Sequence, residues 1–273
     1  MNRLEKKMLD ALKDLRENHH CIGIKAEFEA EGTRMEEALR LKEVITRAGL
    51  DLSIKIGGCE ALKDMFEART IGVNAIIAPM VESPYALKKY IHSAKLAFPA
   101  EEREDVAFLI NIETITGFNN FADMLAIPEA AELTGIVLGR VDMTGSMGLS
   151  REEINSPQIL NIAQVLAKQT QAANKKLIIG GGVSSDSLPF FRSLPEGVLY
   201  KYETRKIIFD AQAGLASANP EAGLVKAVGF ELMWLKNKRD YYGLIFEEDA
   251  NRIVMLEKRY AALLDKYGAY HGV

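Results

Sequence analysis

The stretch VAFLINIETITG, Val106 to Gly117, decides how the rest of the chain is read. Side chains alternate across a strand, so an apolar run without polar alternation belongs to a strand covered on both faces, as in a parallel sheet flanked by helices. Val106 to Ile110 is such a run. Asn111 and Glu113 then follow on one face. An ionised carboxylate buried without a partner costs several kcal/mol, so Glu113 must be paired, coordinated to a metal, or set at the mouth of a cavity.

The same pattern recurs on either side. Strand starts are read near Ile22, Leu52, Asn74, Val106, Gly135, Lys176 and Val198, with amphipathic helices between them. NAIIAPM, GIVLG and KLIIG are apolar on both faces. In the helix after the first strand, Leu41, Val44, Ile45 and Ala48 keep helical spacing and a glycine follows. Seven or eight such units predict an α/β fold of the (β/α)8 TIM barrel type, with an open doubly wound sheet as the alternative. Seven strands are legible. The eighth is expected to be irregular, or its gap to be covered by the N-terminal helix.

Residues 1–210 are assigned to the barrel and 211–273 to a C-terminal helical extension. That extension reads as a helical hairpin: one helix opening at Asn219-Pro220-Glu221, a second ending at Gly268. Leu224, Val228, Leu232, Leu235, Ile253, Leu256, Tyr260 and Leu264 are more apolar surface than a barrel helix needs. The hairpin packs either on a neighbouring subunit, making a homo-oligomer, or on its own barrel.

Bulk properties narrow the class. The 273 residues carry 48% hydrophobic and 26% charged side chains and a formal net charge of −4, with both signs interspersed. Nucleic-acid binding needs clustered Lys and Arg and is not expected. No apolar run approaches membrane-spanning length, and the charged amphipathic N-terminus has no signal-peptide pattern, so a cytoplasmic protein without a membrane partner is expected. Cys21 and Cys59 form neither a metal spacing nor a disulfide framework.

In parallel α/β proteins the ligand lies beyond the carboxyl ends of the strands. Here those ends hold Lys25, Glu27 and Glu29, then Lys55, Asn111 with Glu113, Arg140 with Asp142, and Glu203, Arg205 and Lys206. Glu113 and Asp142 lie one βα unit apart and would point to a common centre, where two carboxylates repel unless a divalent cation lies between them. Oxygen-only ligands suit Mg2+ or Mn2+, and no His accompanies them as zinc would favour. Lys25 and Glu27 read as the floor of the site or as an ion pair closing the barrel. Arg140 could clamp a substrate carboxylate or lie outside the pocket, and Arg205 could meet a distal acid. GGGVSSDS, residues 180–187, reads as a weak phosphate cradle.

APMVES, NIETITGFNN and GIVLGRVDMTGSMG, in this order and spacing, resemble the HpcH/HpaI aldolase/citrate lyase family of the phosphoenolpyruvate/pyruvate barrels. The resemblance runs from about Ile22 to Ser184 and is specific at the fourth and fifth strands. It implies a metal-dependent carbon–carbon lyase acting on a pyruvate-like 2-oxo acid through an enolate. Glu113 and Asp142 match the family's metal ligands, and the turn Gly139, Arg140, Val141 and Asp142 matches the one whose amides hold the substrate carboxylate.

Two positions depart from the family. In KAEFEAEG Glu27 matches the family's Glu, but Phe28 stands where its catalytic His would be. Lys55 stands nearest to the family's Arg, without the guanidinium fork. Lys55 and Lys25 are therefore the candidate catalytic cations, with Glu27, Asn111, Gly139, Arg140, Val141 and Arg205 as substrate contacts. Lys55 has two competing readings, an ion pair with Glu113 or a Schiff-base lysine. The alternatives to the lyase are a citrate-lyase-like enzyme using an acyl thioester or phosphoenolpyruvate, and a ligand-binding barrel that has lost turnover.

Overall fold

A computed structural model describes residues 1–268. Eight strands close into a barrel in chain order: β1 Cys21–Glu27, β2 Asp51–Lys55, β3 Ala75–Ala78, β4 Ala107–Ile112, β5 Gly135–Gly139, β6 Lys176–Gly180, β7 Leu199–Glu203 and β8 Ile207–Asp210. The expected helix after β1 spans Met35–Ala48, buries Leu41, Val44, Ile45 and Ala48, and ends on Gly49 in the left-handed conformation (φ 69°). The helix Pro84–Ala97 starts where its sequence says it should: Ser83 Oγ accepts the Ala86 N–H at 3.1 Å and proline fills the first turn.

The strand missing from the sequence reading is β8, and it runs antiparallel to both β7 and β1. No helix separates it from β7. Thr204 N–H donates to the Ile207 carbonyl at 2.9 Å and Ile207 N–H to Thr204 Oγ1 at 3.0 Å, so the chain reverses within three residues. Antiparallel neighbours can be joined this tightly, whereas a parallel pair needs a crossover of a dozen or more residues. The gap is thus closed by a strand and not by the N-terminal helix Arg3–His19. That helix packs on the outside instead, with Arg16 Nη1 donating to the Ala48 carbonyl at 2.6 Å.

The barrel interior is divided in character. Ala75, Ile77, Leu109, Val137 and Ile178 form an apolar cluster on β3 to β6. The inner faces of β1, β2 and β7 carry Lys25, Glu27, Lys55 and Glu203 in place of apolar side chains, all buried. Strand register puts Glu27 directly opposite Lys55 and Lys25 opposite Ser53. Below the apolar layer, the small residues Gly23, Ala75 and Ala107 leave a cavity of about 330 Å3 at the amino ends of the strands.

The chain divides into two compact units, the first Met1–Glu231, the second beginning at Leu232. The expected C-terminal helix is present, but as one helix, Pro220–Tyr267, where a hairpin was expected. A hairpin would have to turn between these two helical stretches, where Gly243 lies. This glycine adopts no left-handed conformation and continues the helix. A mid-helix glycine costs only about 1 kcal/mol relative to alanine, and no proline follows to break the run. Early in this helix Leu224, Ala227 and Phe230 are buried, and Lys226 pairs with Asp14 of the first helix.

Candidate active site

Glu113 follows β4 by one residue and, like Asn111, points inward. It is 3% exposed. One carboxylate oxygen accepts the Met80 N–H at 3.0 Å and the other accepts Asn111 Nδ2 at 2.7 Å. Burial pushes its carboxyl above the usual range, and the nearby charge of Asp142 adds to that, while Lys55 and the two hydrogen bonds pull the other way. Met80 provides its amide from a left-handed backbone (φ 50°), uncommon for a non-glycine residue.

Gly139 explains why Glu113 can lie where it does. A Cβ at this position would stand 2.7 Å from Glu113 Oε2 and 2.8 Å from its Cβ, so the carboxylate rests directly on the end of β5. Asp142 follows on the first turn of the short helix Arg140–Ser146 and is exposed. The first N–H groups of a helix have no partner within it, so this turn offers donors to an acidic group. Gly181 (φ 76°) closes against the same turn, since a Cβ there would come within 2.6 Å of the Arg140 nitrogen and 2.7 Å of the Val141 nitrogen. The glycines read as a phosphate cradle therefore serve this close approach of two backbones.

The cations form a chain with the remaining acids. Lys25 Nζ bonds Glu203 at 2.5 Å and lies 3.3 Å from Glu27. Lys55 Nζ lies 2.8 Å from Glu29 and 4.0 Å from Glu27. Burial alone would lower both lysines, but for Lys25 the charges of Glu203 and Glu27, and for Lys55 the bond to Glu29 with the charges of Glu27 and Glu113, raise them above the ordinary value. Both stay protonated. A Schiff-base lysine needs the opposite shift, so the carboxylates around Lys55 favour its role as a fixed cation. Burial would raise Glu27, yet Lys25, Lys55 and Arg205 hold it below the usual carboxylate range.

Not every residue singled out in the sequence reaches this centre. The side chain of Arg140 is wholly buried: it donates to the Gly180 carbonyl at 3.0 Å, to Asn155 Oδ1 at 2.5 Å and to Ser187 Oγ at 3.1 Å, and it sits on the rings of Phe190 and Phe191. Its guanidinium ties the β5 and β6 loops together and is not available as a clamp. Only its backbone belongs to the turn. Arg205 is half exposed and lies 3.8 Å from Glu231, at the edge of the centre, where only its charge acts on Glu27. Cys59 is partly buried with its thiol pushed up, the reverse of an activated nucleophile. His271, near the C-terminal end and read from the sequence as solvated, lies outside the described residues.

Glu203 and the Met80 amide were missed as supports of the site. Glu203 is one of several acids at the strand ends, and nothing in the sequence tells which of them a buried lysine will choose. A backbone donor such as Met80 leaves no side-chain signal at all.

The donor set can be tested against a divalent cation. Asn111 Oδ1 is buried with no hydrogen-bond partner, although its own amide nitrogen already bonds Glu113. With Glu113 and Asp142 it makes a set of hard oxygens, the chemistry Mg2+ or Mn2+ prefers. No group of three or more His, Cys, Asp or Glu suited to a metal occurs among the described residues, so a cation here would need oxygens from water or substrate as well.

Comparison with known proteins agrees with this picture at the level of fold and family. Solved structures that resemble the chain include an HpcH/HpaI aldolase from Desulfitobacterium hafniense DCB-2 (13% identity, 61% of this chain and 71% of that one, TM-score 0.53). The citrate synthase SbnG matches at 15% identity over 68% of this chain and 79% of that one, with a TM-score of 0.55. An HpcH/HpaI aldolase/citrate lyase family protein from Burkholderia cenocepacia J2315 matches at 13% identity over 67% and 88%, TM-score 0.52. At such identities the likeness speaks for the fold alone. No curated protein matches the chain. Residues 35–186, which include β2 to β6 with Glu113 and Asp142, match a family by sequence, and on that match the chain belongs to the HpcH/HpaI aldolase/citrate lyase family.

Proposed function

We propose that the chain is a lyase that breaks or forms a carbon–carbon bond beside the carbonyl of a pyruvate-like 2-oxo acid, at the carboxyl ends of the strands. The observation that carries the reading is Glu113, buried against Gly139 and held by Met80 and Asn111. A residue that burial disfavours as an anion is kept in one orientation beside an exposed acid, Asp142. Glu113 and Asp142, with Asn111 as a neighbouring oxygen, would hold Mg2+ or Mn2+. When bound, such an ion supplies Lewis-acid polarisation of a keto group.

The chain's own groups do the rest. The amides of the Gly139–Asp142 turn receive the substrate carboxylate. Lys55, protonated and buried beside Glu27 and Glu29, offsets negative charge that develops on substrate oxygen, and a fixed charge in a water-poor site does this well. Lys25 is engaged by two carboxylates and acts by holding Glu27.

Phe28 decides which reaction to test first. Cleaving a hydroxylated 2-oxo acid requires a base to take the hydroxyl proton, and a phenyl ring cannot. Decarboxylation of oxaloacetate requires none: the bond to the leaving carboxylate breaks, its electron pair enters the enolate, carbon dioxide departs, and water returns a proton to give pyruvate. The experiment is oxaloacetate decarboxylation and solvent-deuterium exchange at pyruvate with Mg2+ or Mn2+, comparing the native chain with Glu113→Gln. A metal-dependent rate lost in the variant is expected. If the native chain shows no rate above the metal alone, the reading gives way to a ligand-binding barrel, for which Phe28 is the motivating observation.

We also infer that the protein is cytoplasmic and self-associates through its C-terminal helix; among the described residues no helix is long and apolar enough to cross a membrane.

A further inference from the structure

From Val225 to Tyr267 one stripe of the last helix repeats with spacings of three and four residues without interruption. It runs Val225, Val228, Leu232, Leu235, Arg239, Tyr242, Phe246, Asp249, Ile253, Leu256, Tyr260, Leu263 and Tyr267. Eleven of these thirteen are apolar or aromatic. An average spacing of 3.5 is the signature of a left-handed coiled coil. Leu232, Leu235, Phe246, Ile253 and Leu256 are each more than half exposed, Phe246 at 74%. Exposed apolar surface of this extent marks an interface.

The two exceptions identify the partner. Arg239 and Asp249 stand symmetrically about Leu244. If two copies of the helix run antiparallel with Leu244 at the dyad, every stripe residue from Val225 to Leu263 meets another: Leu232 faces Leu256, Leu235 faces Ile253, Tyr242 faces Phe246, and Arg239 of each copy faces Asp249 of the other. Sliding one helix by a heptad puts Arg239 against Tyr242 or Leu256 and leaves the charges against apolar side chains. A parallel pair in register sets Arg239 on Arg239 and Asp249 on Asp249. One arrangement alone satisfies both the apolar stripe and its charges.

We propose that residues 225–263 form an antiparallel two-stranded coiled coil with a second copy of this chain, centred on Leu244, its register set by two Arg239–Asp249 pairs. Within one chain Arg239 rests on the exposed Asp240 at 2.7 Å, and its remaining donors can reach the partner. Overlap over these residues is about 58 Å long at 1.5 Å per residue. The inference does not depend on the lyase reading.

The test uses the full-length chain in a Cys59→Ser background, with Cys21 buried. Light scattering at micromolar concentration should give a mass of at least two 30.3 kDa chains. Ile245→Cys, near the dyad, should form an intermolecular disulfide on mild oxidation, and Leu232→Cys should not, because its counterpart is Leu256. Arg239→Asp and Asp249→Arg should each weaken association by about tenfold or more, since each creates two like-charge contacts. Mixing the two variants, or combining them in one chain, should restore it. Far-UV circular dichroism of each variant shows that the helix persists. A monomeric native chain, a Leu232→Cys crosslink without an Ile245→Cys one, or charge reversals without effect on association would overturn the proposal.

Discussion

Glu113 and Gly139 are in such close approach that no side chain fits between them, with the glycine's missing Cβ position 2.7 Å from the carboxylate. Neither residue has a meaning without the other. Gly139→Ala should leave the barrel folded, because the added methyl can be relieved by swinging Glu113 aside, at about 1–3 kcal/mol of overpacking. If the proposed lyase reading holds, it should also lower turnover by about a hundredfold, as misplacing a group in the site by an ångström does. Thermal melting alongside oxaloacetate turnover checks this, and near-native turnover would show that Glu113 need not lie against β5.

Glu113, the proposed metal ligand, also bears on stability. Burial raises its carboxyl above the usual range, so the folded state binds its proton more tightly than the unfolded chain does. The ionised side chain therefore opposes folding once pH rises above the folded value, and ceases to do so as pH falls back towards 4.5. Glu113→Gln removes the charge. It also lets Asn111 turn over and accept a hydrogen bond on the oxygen that is now without a partner. The variant should melt a few degrees higher than the native protein at pH 8, with the gain fading at acid pH, while turnover falls about a hundredfold or more. Melting curves at pH 4 and pH 8 decide it.

The parts legible in the sequence were those that repeat or end abruptly. Apolar runs gave seven strands, and polar residues at their carboxyl ends gave Glu113, Asn111, Lys55 and Lys25, because period-two alternation survives in one sequence without help from tertiary contacts. β8 was not legible because IIFD follows YETRK with no helix between, and a strand in a (β/α)8 pattern is marked by the helix that precedes it. Arg140 looked like a substrate clamp because a guanidinium next to a conspicuous acid has that chemistry. Its partners, Asn155 and Ser187, come from segments that only the fold brings near.

The Lys25–Glu203 contact spans 178 positions of sequence and closes the barrel from within. Glu203→Gln should destabilise the protein by about 3 kcal/mol, the cost of leaving a buried cation with half of its compensation, as Glu27 remains. The sign with pH follows from Lys25 being raised: its contribution is full below the ordinary lysine value of 10.5 and is lost as pH climbs past it. The difference between the two proteins in urea titrations should therefore shrink in strongly alkaline buffer. Replacing both residues with Met and Leu should recover much of the loss, since a buried ion pair is often no better than a well-packed apolar pair.

Gly243 separates one helix from two. In a hairpin the glycine would take a left-handed turn conformation, and alanine there would be strained and destabilising. In the continuous helix its φ is not positive and nothing lies within 4 Å of where a Cβ would be. Gly243→Ala should then add about 1 kcal/mol to helix stability, through the backbone entropy that glycine gives up on ordering. The readout is the midpoint of the far-UV transition together with ellipticity at 222 nm. A gain in both fits one unbroken helix from Pro220 to Tyr267. A loss would mean that the chain turns at this glycine, and with it the antiparallel seam centred on Leu244 could not form, because the two halves of the stripe would no longer lie on one axis.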